Sequence, residues 1–182
     1  SHRFNEALSY AESLHRKQKR KGTDIPYVSH LLIVSSLVLE NGGSEDQAIA
    51  ALLHDAVEDQ GGESRLTEIR EKYGESVAQI VADCTDAWVE PKPEWKVRKV
   101  NYINSLQKKD TSSLLVSLAD KTHNAEAILQ DYKEIGDALW KRFNAGKEGT
   151  LWYYGKLSEQ FNALLPGRLA NRLNSAVLGF SG

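Results

Sequence analysis

Phe4, Ala7, Leu8, Ala11, Leu14 and His15 recur at i, i+3 and i+4 spacing, which predicts an amphipathic helix over residues 3–20. Gly22 and Pro26 punctuate "GTDIPY" and make it a loop. The run "HLLIVSSLVL" is apolar on most sides and predicts a second helix over 28–41, stopped by Asn41-Gly42-Gly43. Ser44 with Gln47 reads as a capping box opening a third helix to about Asp59. Its Ala48, Ile49, Ala51, Leu52 and Leu53 surround the axis, so it is expected to be the most buried helix. Further helices are predicted over 65–73, 75–86, 95–108 and 111–132. Residues 87–94, with Pro91 and Pro93, are expected to be a loop. Residues 136–149 are expected to be a mobile loop with one turn at "LWKRF", and a final helical region over 150–178 breaks at Pro166-Gly167. No strand alternation of useful length occurs. The expectation is an all-α fold, a single compact multi-helix domain over residues 3–180.

Composition narrows the partners. The net charge is −2 in 182 residues, which argues against a general nucleic-acid or membrane-surface binder. No apolar run approaches the roughly 20 residues that span a bilayer. A single Cys84 rules out an internal disulfide framework and fits a reducing, cytoplasmic setting. The chain has no Met and opens Ser1-His2 without a signal-peptide pattern. That start reads as a cloning remnant, so His2 is assigned no role.

The apolar pattern is interrupted at particular places. "ALLHDAVEDQ" follows three apolar residues with His54-Asp55 and then Glu58-Asp59. On a helix these four lie on neighbouring parts of one face. Either the helix surfaces here and the charges are solvated, or a divalent cation neutralises carboxylates that would be costly to bury alone. Two further positions favour the cation. His30 opens the second apolar helix, and Asp120 closes the run Leu114, Leu115, Val116, Leu118. Two imidazoles with two carboxylates suit a first-row transition ion better than Mg²⁺ or Ca²⁺, which prefer all-oxygen cages. Four protein ligands leave room for water and substrate, as metal-assisted hydrolysis requires.

His30, His54-Asp55 and Asp120 match the H…HD…D signature of the HD phosphohydrolase superfamily. "RKQKRKGTDIPYVSH", "AALLHDAVED", "YGESVAQIVADCTD" and "LADKTHNA" extend the match over about residues 4–130. Together they resemble the hydrolase domain of the RelA/SpoT proteins and its stand-alone versions, the small alarmone hydrolases and the metazoan SpoT homologue. The resemblance implies an HD-type fold and a metal-dependent enzyme. That enzyme would remove the 3′-pyrophosphate of (p)ppGpp or (p)ppApp with Mn²⁺ held by His30, His54, Asp55 and Asp120. No synthetase domain follows, so hydrolysis alone is implied.

Glu58 and Asp59 match the family's catalytic pair, placed to orient or deprotonate the attacking water. Arg20-Lys21 matches the pair used beside the nucleobase and phosphates; the alternative is a solvated basic helix end. Asn124 matches the family's substrate-contacting Asn, and His123 is expected to support or pack, not to ligate. In the less similar C-terminal third, Arg142 and Lys147 stand among Trp140, Trp152, Tyr153 and Tyr154. Either they close over a polyphosphate or the aromatics are core. Lys96, Arg98 and Lys99 form either a phosphate wall or a solvated face, and the solvated face is the expectation. The partner is thus a small nucleotide, with neither nucleic acid nor membrane, and the chain is a monomer or homodimer. The alternatives are a nucleotidase or phosphatase acting on another nucleotide such as NADPH, or an inactive nucleotide-sensing HD domain. The complete ligand set argues against inactivity.

Overall fold

A computed structural model describes residues 1–86 and 91–181. Ten α-helices carry the described residues: α1 (His2–His15), α2 (Val28–Glu40), α3 (Glu45–Leu53), α4 (Ala56–Gln60), α5 (Gly62–Tyr73), α6 (Glu75–Cys84), α7 (Trp95–Ser105), α8 (Thr111–Ile135), α9 (Gly146–Leu164) and α10 (Arg168–Ser181). Two 3₁₀ segments, Leu106–Lys108 and Gly136–Arg142, join them. No strand occurs among the described residues, and the all-α expectation holds. None of the described helices is long and apolar enough to cross a membrane.

Burial follows the apolar pattern. Every residue from Ala48 to Leu53 is fully buried, so α3 is enclosed on all sides, as its sequence implies. It packs against α1, α2, α6 and α8. Ser44 caps it as expected: its hydroxyl accepts from the Gln47 N–H, and the Gln47 carboxamide oxygen accepts from the Ser44 N–H at 2.7 Å. The long α8 is capped by Asp110, whose carboxylate accepts from Ser113 N–H at 2.8 Å. One side of α8 meets α2, α3 and α6, and α9 and α10 also lie against it.

Three expectations need correcting. The first helix ends at His15, not at residue 20. Six consecutive polar residues, five of them cationic, follow His15 and would stack like charges along a helix. The chain instead pairs Lys19 with Pro26 in an isolated antiparallel bridge. Tyr27 N–H donates to Gln18 O at 3.0 Å and Arg20 N–H to Ile25 O at 2.9 Å. Arg20-Lys21 therefore sits in a pinned loop.

The third helix does not run through to Asp59. It stops after Leu53 and restarts as the short α4. The His54 ring nitrogen Nδ1 lies 2.8 Å from the Ala51 carbonyl. A continuing helix would give that carbonyl to the Asp55 N–H, so the side chain competes for the backbone's own acceptor.

Nor is 136–149 an open loop. Gly136, at φ 58°, ends α8 in a conformation that favours glycine. The following 3₁₀ turn buries Leu139 and Trp140 in the core, and α9 already begins at Gly146. The break at Pro166-Gly167 lies where expected, between α9 and α10. Of the loop expected over 87–94, residues 87–90 lie outside the described residues, and 91–94 are irregular.

Candidate metal centre and its cleft

Four side chains from three parts of the chain converge. His30 comes from the first turn of α2, His54-Asp55 from the break between α3 and α4, and Asp120 from the middle of α8. Nε2 of His30 and Nε2 of His54 are 3.4 Å apart. Asp55 Oδ2 lies 3.0 Å from His54 Nε2 and 3.7 Å from His30 Nε2. Asp120 Oδ1 lies 3.2 Å from His30 Nε2 and 3.5 Å from His54 Nε2. Both imidazoles and Asp120 are buried, and Asp55 is partly so.

The arrangement fits a divalent cation. The Ala51 carbonyl can only accept, so Nδ1 of His54 carries the hydrogen and Nε2 is the atom left for a ligand. Electron-rich atoms of four side chains then crowd around one point, which requires a proton or a cation between them. His30, His54 and Asp55 each offer a donor atom within 4.8 Å of the others. Without an ion, protons take its part. Burial works against a charged His54, but the carboxylates of Asp55 and Asp120 overcome it and hold its pKa well above the usual value. Burial pushes His30 down. Both aspartates resist burial and stay ionised below the carboxylate range. Lys121 and His54 are responsible at Asp120, and His54 at Asp55.

A second ring of groups fixes these four. Tyr27 Oη donates to Asp55 Oδ2 at 2.5 Å. Lys121 Nζ donates to Asp120 Oδ2 and Asn124 Nδ2 to Asp120 Oδ1, both at 2.6 Å. Asn124 Oδ1 in turn accepts from Arg20 Nη2 at 2.7 Å, and the Arg20 guanidinium lies 5.8 Å from the centre of the Tyr27 ring. Nδ1 of His123 is 2.6 Å from Nδ1 of His30. Burial and the neighbouring His30 lower the His123 pKa to about 3, so its ring is neutral.

Two cavities lie beside this centre and share Lys21, Asn124, Phe143 and Tyr154. One, of about 440 Å³, is lined by Arg20, Tyr27, His123, Leu139 and Arg142 among others. The other, of about 330 Å³, is cationic, with Arg98, Lys99 and Lys121, and Glu58 also borders it. The solvated-face expectation fails for Arg98 and Lys99. Both turn inward onto the largely buried Asp86, at 2.7 and 2.5 Å. Lys96 stays exposed over the Trp152 ring. Tyr153 and Tyr154 are buried, yet Tyr154 borders both cavities, so the core and the binding readings of these aromatics overlap.

Glu58 accepts from Lys92 Nζ at 2.9 Å, and Asp59 accepts from Gln18 Nε2 at 2.8 Å. Burial and the charge of Asp55 raise the Asp59 pKa. Arg142 pairs with Asp131 at 2.7 Å at the cavity wall. Lys147 is not brought to either cavity. It is exposed at the start of α9, where Asp137 at 3.0 Å takes its charge. Sequence reasoning assigned no role to Lys121 or Tyr27. The signal was present: Lys121 follows Asp120 inside "LADKTHNA", and Tyr27 lies one helical turn before His30.

The frame and the cluster define an all-helical protein with a buried His/Asp centre of metal-binding type. The chain belongs to the HD-domain family, whose model matches residues 7–151. It is 36% identical over 138 residues to the guanosine-3′,5′-bis(diphosphate) 3′-pyrophosphohydrolase MESH1 of Xenopus tropicalis, covering 74% of this chain and 72% of that one. It is 32% identical over 159 residues to the guanosine-3′,5′-bis(diphosphate) 3′-pyrophosphohydrolase of Aquifex aeolicus, covering 85% of this chain but 21% of that longer one. Among solved structures, a metazoan ortholog of SpoT that hydrolyzes ppGpp superposes with a TM-score of 0.79. The sequences are 27% identical, and the match covers 97% of this chain and 94% of that one.

Proposed function

We propose that the chain is a metal-dependent 3′-pyrophosphohydrolase of guanosine or adenosine alarmones, (p)ppGpp or (p)ppApp, releasing pyrophosphate. The relatives named for the guanosine substrate support that part of it, and the adenosine substrates rest on the family resemblance. The observation that carries it is a His/Asp cluster tied by direct hydrogen bonds, through Asn124 and Lys121, to a cleft with a cationic half. Residues 3–180 act as one domain, since α9 and α10, which reach beyond the matched residues, pack against α8. Cys84, a free thiol, fits a reducing cytoplasm.

His30, His54, Asp55 and Asp120 would hold the ion; the mixed imidazole and carboxylate set suits a first-row divalent ion, and the family resemblance makes that ion Mn²⁺. When bound, the ion supplies positive charge against the polyphosphate and acidifies water. Lys21, Arg98, Lys99 and Lys121 take the phosphates as charge-assisted donors. Arg20, Tyr27 and Tyr154 offer flat surfaces to the nucleoside, and Asn124 and Arg142 border it. Glu58, at the cavity, and Asp59, with its raised pKa, accept the proton of the attacking water.

The test is a substrate panel with Mn²⁺: ppGpp, ppApp, NADPH and a plain nucleoside triphosphate, with products identified. Pyrophosphate released from the 3′ position is the expected result, lost together with bound manganese in Asp120→Asn. Phosphate release from NADPH alone would transfer the reading to a nucleotide phosphatase.

A further inference from the structure

His54 and His30 face the same cluster with the same atom, Nε2, but their far nitrogens are held differently. The far nitrogen of His54 meets the Ala51 carbonyl, an acceptor that fixes its tautomer outright. The far nitrogen of His30 meets another imidazole, Nδ1 of His123, at 2.6 Å. The ring centroids are 4.9 Å apart with planes inclined by 29°. The nitrogens are thus far closer than the centroids, the mark of an edge-to-edge approach with an N–H directed at a lone pair. Two Nδ1 atoms at this distance share a single hydrogen.

Two arrangements satisfy the contact. If His123 donates, neutral His30 carries its hydrogen on Nε2, pointing at Asp120 Oδ1, 3.2 Å away. That hydrogen occupies the place where the donor atoms converge. If His30 donates, its Nε2 is a bare lone pair beside Nε2 of His54. Only the second arrangement gives the cluster two imidazole ligands. Unlike a carbonyl, an imidazole can play either part, so His123 accommodates His30 with and without a cation.

We infer that His123 is a positioning residue: in the cation-loaded protein its bare Nδ1 accepts the Nδ1–H of His30 and presents the Nε2 lone pair of His30 to the ion. This rests on the proposed metal centre. It gives His123, which also borders the larger cavity, a defined part in the affinity of that centre.

Zinc is diamagnetic, so long-range proton–nitrogen spectra of the zinc-loaded protein read the imidazole tautomers directly. The expected result is a bare Nδ1 and a protonated Nε2 on His123. A hydrogen on its Nδ1 overturns the inference. Metal titration supplies the second readout. His123→Leu removes the acceptor and is expected to weaken zinc and manganese binding by about 10–100-fold, the usual cost of losing a partner behind a ligating histidine. His123→Asn retains an acceptor oxygen in place of Nδ1 and is expected to recover most of that loss. Equal losses in the two variants reduce His123 to packing, and an unchanged affinity in His123→Leu also overturns the role. If His123→Leu does not fold, the wild-type spectra and the Asn variant still decide. If wild-type protein binds neither ion, the metal centre itself fails. The inference then falls with it, whereas zinc binding with a hydrogen on Nδ1 of His123 overturns the inference alone.

Discussion

His54 carries most of the electrostatic consequence of the cluster. Its far nitrogen is committed to the Ala51 carbonyl, so any second proton sits on Nε2, between Asp55 and Asp120. The two carboxylates raise its pKa well above the usual value despite burial. In the ion-free protein this proton is therefore bound at neutral pH, and an entering cation must expel it. The sign follows: metal affinity rises with pH, by up to about tenfold per pH unit, and levels off once the pH passes the raised pKa of His54. Titration calorimetry in buffers of different ionisation heat counts the protons released, and close to one is expected near pH 7. An affinity flat between pH 6 and 8 would contradict it. The members of this cluster were legible in the sequence because each is an ionisable group inside an apolar run. Lys121, Tyr27, Arg98 and Lys99 were less so. What they touch depends on which helices meet, and a solvated and a buried lysine look alike in one dimension.

At the scale of elements, periodicity located the helices but not where side chains interrupt them. The capping box at Ser44 and the break at Pro166-Gly167 are local chemistry and were read correctly. The end of α1 and the gap at His54-Asp55 depend on a bridge and on one imidazole, neither of which leaves a periodic trace. The segment 136–142 is polar enough to resemble an open loop, yet it places Leu139 and Trp140 in the core. Leu139→Ala is therefore expected to cost about 2–5 kcal/mol of stability, as for other buried leucines, measured by denaturant unfolding. A loss within about 0.5 kcal/mol would return the segment to the surface. The pinned loop gives a different expectation. Gly22 has φ +73°, and a Cβ there would lie 2.7 Å from Cδ of Arg142. Gly22→Ala must strain the loop or displace Arg142 from the cavity wall. The expected outcome is a raised KM with metal binding unchanged, read by steady-state kinetics beside a manganese titration. Loss of metal in this variant would mean that the loop also sets the geometry of the cluster.

At the scale of the whole molecule, the net charge of −2 conceals strong local separation. Lys21, Arg98, Lys99 and Lys121 line one small cavity, while the carboxylates of Asp55 and Asp120 are turned to the buried cluster beside it. Desolvation and the neighbouring charge of Lys121 lower the Lys99 pKa, although Asp86 works the other way. An anion entering the cavity relieves the repulsion among these cations, so part of the binding energy for a polyphosphate is already stored there. Lys99 is the most direct place to test this. Asp86, its acceptor, keeps Arg98 at 2.7 Å when Lys99 is removed, so no unpaired buried carboxylate is left behind. Lys99→Ala removes one charge-assisted contact worth about 1.5–3 kcal/mol. It is expected to raise KM for the alarmone by roughly tenfold or more at low salt. Since the contact is made in ground and transition states alike, kcat should change little. The penalty should shrink at high salt, because screening already weakens the wild-type attraction there. Steady-state kinetics of both proteins at two ionic strengths, with manganese binding measured in parallel, read all three effects. An unchanged KM at low salt would remove Lys99 from the phosphate wall. A fall in kcat at unchanged KM would instead place it at the reacting end of the substrate.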